Sequence, residues 1–279
     1  LSPQSFVDEL KSSSQDHEKF AFAWVSTSNL ISLSQKHDYS ISDAQQLCLS
    51  NKILPRRYIK NFPTIDLKQQ LALASSKVLL VGLGGLGGYI LEILGRTGVG
   101  SFFLADGDVF EESNFNRQLL GYDSKSGVSK AEAAAERLTR INPLCTFEIV
   151  NKFLIKEDLP GLVPKVDIVI DALGGIEFRP DLLEATGNAG LPLVTGFVAG
   201  STGLAATVLP GGKSPAAFWQ GSNDQGAEIK LGNIACTVVT IATIQAQEAL
   251  NLLTGKPARL IDKVILTDLD SLTFEQLEL

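Results

Sequence analysis

Residues 82–88 read Gly-Leu-Gly-Gly-Leu-Gly-Gly, with Gly82, Gly84 and Gly87 at the spacing GxGxxG. Glycines here let the backbone turn tightly and approach a phosphate, while a helix starting there offers unpaired N–H groups to anionic oxygen. The motif alone also suits plain strand–helix packing, and it names no particular nucleotide. Asp106 lies 24 residues after Gly82, where a carboxylate can accept hydrogen bonds from ribose hydroxyls. Asp106-Gly107-Asp108 would equally make a turn. A polar run follows, Ser113-Asn114-Phe115-Asn116-Arg117-Gln118, and then Lys130. Arginine and lysine can neutralise a triphosphate as its α-phosphate is attacked and pyrophosphate departs. A dinucleotide oxidoreductase needs no such cluster at this point. Singly, each residue fits a solvated loop, with Ser129 capping a helix and Lys130 on its surface.

These residues require strand ends and helix starts to hold them. Residues 78–81 are a continuous apolar run, as in a strand buried on both faces of a parallel sheet, and they lead into the glycine turn. A helix is expected over 89–97, ended by Gly98, and a second strand over 101–104. Residues 130–142 read as a helix stopped by Pro143. Further strands are expected at 147–150, 166–170, from 193, and at 205–208, 263–266 and 274–279; helices are expected at 180–189 and 233–253. Alternating β and α units predict an α/β fold, a doubly wound Rossmann-like sheet that is mostly parallel, with helices on both faces. Residues 1–56 differ. They are rich in Ser, Gln and Lys, and helical spacing at 6–10, 20–33 and 43–49 predicts a small helical extension preceding the domain of 57–279. His17 and His37 lack metal-ligand spacing and are expected at the surface.

The 279 residues allow one large domain or two modest ones. Net charge is −7, with 24 basic against 31 acidic residues, which argues against phosphate-backbone binding as the main task. Cys48, Cys145 and Cys236 are odd in number and never form CxxC, which excludes a disulfide scaffold and a four-cysteine zinc knot. A reducing, cytoplasmic setting is expected, without a membrane span or signal peptide.

Taken together, VLLVGLGGLGG, GVGSFFLADGDVFEESNFNRQLL, GVSKAEAAAERLTRINP and the late GNIACTVVTIATIQAQEALNLLTGK resemble the ThiF/MoeB/HesA family, which shares its adenylation domain with ubiquitin-activating enzymes. The resemblance runs from about Arg57 to Leu279. It implies ATP and Mg2+, usually a homodimer, and activation of the C-terminal Gly-Gly of a small ubiquitin-like sulfur-carrier protein as an acyl-adenylate. It places the backbone of Gly85 against the nucleotide and Asp106 on the ribose. Asp108 becomes the second acid of a DxD, with Ser113, Asn114, Arg117 and Gln118 around the phosphates and Lys130 on a phosphate.

Three departures stand out. Where the family commonly has Asp-Asn, with the aspartate helping to hold magnesium, this chain has Gly174-Gly175, three residues after Asp171. Asp108 and Asp171 are then the carboxylates expected to reach the metal, with Arg117, Lys130 and Asp171 as the catalytic set. Lys60 stands where many members donate an arginine across the dimer. No zinc CxxC pairs and no cysteine in the crossover 209–231 are present, and Cys236 is expected to be packed rather than reactive. Alternatives are a nucleotide-binding module that has lost turnover, adenylation of a tRNA nucleoside or a peptide, and a plain NAD-binding protein.

Overall fold

The computed structural model describes residues 3–215 and 227–279. The N-terminal segment contains α1 (Pro3–Ser13), β1 (Gln15–Asp16), β2 (Ala23–Val25), α2 (Thr27–Lys36), α3 (Ile41–Ser50) and β3 (Ile53–Pro55). The helical spacing expected over 20–33 holds from Thr27 onward, in α2, and is corrected for the residues before it. Residues 23–25 are a strand that pairs in parallel with 53–55, Trp24 opposite Leu54. That partner lies about 30 residues downstream, beyond the reach of local periodicity. His37 is likewise corrected, being buried against Phe6 with Nε2 3.4 Å from a Glu9 carboxylate oxygen. His17 is half-buried beside Phe20 and Phe22. The apolar cluster of this segment continues through Tyr58 and Ala74 to Leu144.

A 3-10 turn (Arg56–Asn61) and α4 (Leu67–Ser75) lead into the main sheet. Its elements are β4 (Lys77–Val81), α5 (Gly85–Thr97), β5 (Ser101–Ala105), α6 (Lys130–Ile141), β6 (Thr146–Val150), α7 (Leu159–Leu162), β7 (Ile168–Asp171), α8 (Arg179–Ala189), β8 (Leu193–Ala199), β9 (Thr202–Val208), α9 (Ala227–Leu231), α10 (Ala235–Leu253), β10 (Lys263–Asp268) and β11 (Thr273–Glu278). The strand order is β11-β10-β9-β8-β7-β4-β5-β6. Neighbours from β8 to β6 pair in parallel, and those from β8 to β11 antiparallel. Strand alternation sends Val78 and Leu80 into the core under α5, α6 and α10, and Leu79 and Val81 into the core under α7 and α8.

α10 packs one stripe, Val238, Ile241, Ala242, Gln245, Ala246 and Ala249, at helical spacing against α5 and the sheet. From β4 the chain passes to β5 and β6 on one side, then returns to β7 on the other. That reversal opens a crevice at the carboxyl ends of the strands, where open α/β sheets bind ligands. Among the described residues, no helix is long and apolar enough to cross a membrane.

Candidate active site

The glycine turn connects β4 to α5 through backbone that only glycine tolerates. Gly82 has φ +91°, and a Cβ there would lie 2.6 Å from the carbonyl oxygen of Ala172; at Gly87 it would lie 1.9 Å from the carbonyl oxygen of Gly82. Gly84, the residue before α5, supplies no side-chain cap, so the first N–H groups of the helix are open to a ligand. A cavity of about 510 Å3 lies in front of this turn. Gly82, Gly84 and Gly85 line it, whereas Gly87 packs the helix start behind them.

Asp106, at the end of β5, accepts hydrogen bonds from the N–H of Leu83 at 2.7 Å and that of Asp108 at 2.9 Å. One carboxylate thus ties the glycine turn to β5, and each oxygen keeps a lone pair for a further donor. Ser129 caps α6, its hydroxyl accepting from the N–H of Glu132, and this places Lys130 in the first turn. Lys130 is buried rather than at the surface, with Nζ 2.5 Å from Oδ2 of Asp108. Burial by itself would raise the Asp108 carboxyl. The hydrogen bonds from Lys130 and the Val109 N–H, with the lysine charge, outweigh it and hold the group below its ordinary value.

Asn114 and Arg117 lie on a 3-10 turn (Glu112–Asn114) and the loop after it. Arg117 is anchored on the Ser113 carbonyl at 3.0 Å and on Oδ1 of Asn116 at 2.8 Å. Gln118 lines the cavity and is 6 % exposed, yet its buried Oε1 has no partner. Such an atom leaves an unmet hydrogen bond or cation contact for whatever fills the space. Ser113 is exposed and outside the lining; its backbone carbonyl holds Arg117 and its hydroxyl accepts from Asn114 Nδ2 at 3.4 Å.

Asp171 is placed differently from its expected position on a metal. It is 1 % exposed, outside the cavity lining, and bound through Oδ2 to Arg179 Nη1 at 2.5 Å and Thr195 Oγ1 at 2.6 Å. Arg179 also donates to the carbonyls of Leu173, Gly175 and Gly196 and lies over the ring of Phe197. The pair is a fastener beneath the loop 173–175. Gly174 lines the cavity, with open space where a Cβ would stand.

Further along the lining are Lys152, Phe153, Glu177 and Val238, which the motifs did not single out. Phe153 is 72 % exposed although apolar. The only sequence signal for Lys152 and Phe153 is their position just past β6, at the same edge of the sheet. Cys236 departs from the packed expectation, being exposed in the first turn of α10, because the inward face there is taken by Thr237 and Val238. Lys60 is also exposed. Residues 216–226 of the crossover lie outside the described residues.

The model of the ThiF family matches residues 56–279. The chain belongs to the ThiF family. Among ThiF-family relatives, it is 32 % identical over 206 residues to a SAMP-activating enzyme E1 of Haloferax volcanii, covering 73 % of this chain and 76 % of that protein. It is 31 % identical over 245 residues to the molybdopterin-synthase adenylyltransferase of Escherichia coli K12, covering 86 % and 94 %. Escherichia coli MccB solved with ATP superposes with a TM-score of 0.70 at 19 % identity, covering 89 % of this chain and 82 % of that one. PaaA superposes with a TM-score of 0.66 at 21 % identity and covers 99 % of this chain and 81 % of that one, so the shared fold includes the N-terminal segment.

Proposed function

We propose that this ThiF-family protein is an adenylyltransferase that uses ATP and magnesium to activate a carboxylate, the C-terminal Gly-Gly of a small ubiquitin-like sulfur-carrier protein. The observation that carries the reading is one cavity joining the open start of α5, the Asp106 carboxylate, and the Arg117 and Lys130 cations. The names of the relatives, activating enzyme and adenylyltransferase, agree with it.

In this reading Asp106 accepts from the ribose hydroxyls through its remaining lone pairs, and Phe153 and Leu154 form the apolar wall for the base. The first turn of α5 and the side chains of Asn114, Arg117, Gln118 and Lys130 hold the phosphates. A carboxylate oxygen of the carrier attacks the α-phosphorus, and the bond from that phosphorus to the bridging oxygen breaks. Pyrophosphate leaves with the electron pair. The carrier supplies the nucleophile, so the protein needs no covalent one. Its task is to align the reactants and to stabilise charge moving onto the departing oxygens, which Arg117 and Lys130 do.

Magnesium would neutralise part of the triphosphate charge. The residues present fit it: Asp108 and Glu177 offer carboxylates and Gln118 an orphaned oxygen. Among the described residues there is no cluster of three metal-ligating side chains, which suits an ion held mainly by phosphate and water. We assign the protein to a homodimer and to the cytoplasm, where three free thiols are at home.

Pyrophosphate exchange into ATP, measured with carriers ending in Gly-Gly and with truncated carriers, tests the reading. Exchange that requires the intact terminus supports it. ATP binding without exchange, for any carboxylate supplied, would instead leave a nucleotide-binding module.

A further inference from the structure

The carboxylates around the cavity are not equally available. Asp171 is buried under the loop in its pair with Arg179. Asp106 is bound by two backbone N–H groups, and Asp108 by Lys130. Among the described residues, Glu177 alone of the lining carboxylates is exposed and has no cation on its oxygens within hydrogen-bond distance; Oε2 accepts from the N–H of Ile176 at 3.0 Å.

The loop that carries Glu177 is held from both sides. Arg179 binds the carbonyls of Leu173 and Gly175, and the N–H of Gly175 donates to Glu228 at 2.9 Å. A side chain on so fixed a support needs little ordering to engage a ligand. Gly174, three residues earlier, leaves open space on the same wall. A second observation points to an occupant of this cavity: Gln118, which lines it and is more than nine-tenths buried, carries an Oε1 with no hydrogen-bond partner.

We propose that Glu177 is the carboxylate that faces the magnesium of bound ATP, in the space that Gly174 leaves open. The assignment rests on the ATP reading above. Magnesium commonly takes one or two protein carboxylates, with phosphate oxygens and water completing six positions. Glu177 reaches the ion from the β7–α8 loop, while Asp171 below keeps that loop in place.

The test uses the full chain and Mn2+ as the probe. Nucleotide affinity is read from displacement of a fluorescent ATP analogue without metal, and Mn2+ affinity of the ATP complex from the electron paramagnetic resonance of free Mn2+. Glu177→Gln is isosteric and exposed, so the fold is retained; Glu275→Gln, on the exposed strand β11, is the control. Metal-free ATP affinity should be the same for wild type and E275Q and no weaker in E177Q, which loses a negative charge from the wall facing the triphosphate. Mn2+ affinity should fall at least about tenfold in E177Q alone. Adding Gly174→Asp to E177Q should recover most of the loss, since a Cβ at 174 meets no neighbour. Equal Mn2+ affinity in wild type and E177Q would overturn the assignment while leaving the ATP site standing. No ATP binding by wild type, with or without Mn2+, would overturn the ATP reading and this assignment with it.

Discussion

Arg179 and Asp171 are joined in a buried ion pair, Nη1 to Oδ2 at 2.5 Å, directly beneath the loop that forms one wall of the cavity in front of the glycine turn. Burial works against the arginine charge and pushes the guanidinium below its ordinary range, while Asp171 is the first of several nearby carboxylates that oppose this. Every guanidinium nitrogen has an acceptor, Nε on Gly175, Nη1 on Asp171 and Thr195, and Nη2 on Leu173 and Gly196. A pair so fully hydrogen-bonded is tolerated in the core, whereas either half alone is not.

Arg179→Met should therefore destabilise the protein by about 3–5 kcal/mol, because it strands a buried carboxylate. Arg179→Met with Asp171→Leu should be less damaging than Arg179→Met alone. Urea denaturation of the two variants checks this. A double variant that is less stable than the single one would mean that the pair does not balance as described.

Arg117→Ala and Lys130→Ala should each lower carboxylate-dependent pyrophosphate exchange by about 10²–10³-fold, the usual worth of a charge aimed at the transition state. Their stabilities should part company. Arg117 contacts only loop groups, and its loss should stay within about 0.5 kcal/mol. Lys130 is buried and holds Asp108, so its removal should also lower the melting midpoint. Exchange kinetics and thermal melts on the same preparations separate the two effects.

One thiol of three should react in the native protein. Cys236 is exposed. Burial pushes the Cys145 thiol up to about 12 and raises Cys48 further, leaving almost no thiolate at neutral pH. Titration with a chromogenic disulfide should give one equivalent fast and three after unfolding. Two fast equivalents would contradict the packing of Cys48 or Cys145.

Glu92 on α5 receives both Nε and Nη2 of Arg137 at 2.8 Å and Nε of Arg96 at 2.7 Å. Burial would raise its carboxyl, but these arginines outweigh it and hold the group below its ordinary value of 4.5. Because the folded value is depressed, the stabilisation is present above 4.5 and lost as pH falls through the lower folded value. Glu92→Gln should cost about 1 kcal/mol at pH 7, roughly 2 °C in melting midpoint for a chain of this size. The difference from wild type should shrink towards zero in acid. A difference independent of pH would point to packing instead.

The glycine turn, the strand ends after it and the run from Asn114 to Lys130 were legible in the sequence because their signals are local. A GxGxxG between an apolar run and a helical stripe can do little else but turn a strand into a helix, and Asp106 follows at the next strand end. The same locality explains the correctly expected helices 130–142 and 233–253, each within two residues of the observed ends. Contacts between distant segments decided the remainder. Whether residues 23–25 form a strand depends on residues 53–55, and whether His37 is exposed depends on where α1 lays Phe6. Asp171 sits at a strand end, as a ligand-binding carboxylate would, but Arg179 and Thr195 close over it from a helix and a neighbouring strand. Its withdrawal leaves Glu177, unremarkable as a letter between Ile176 and Phe178, as the free carboxylate on that wall. Periodicity and turn chemistry act over a few residues and are written into the chain, whereas burial and charge pairing depend on what the folded sheet brings alongside.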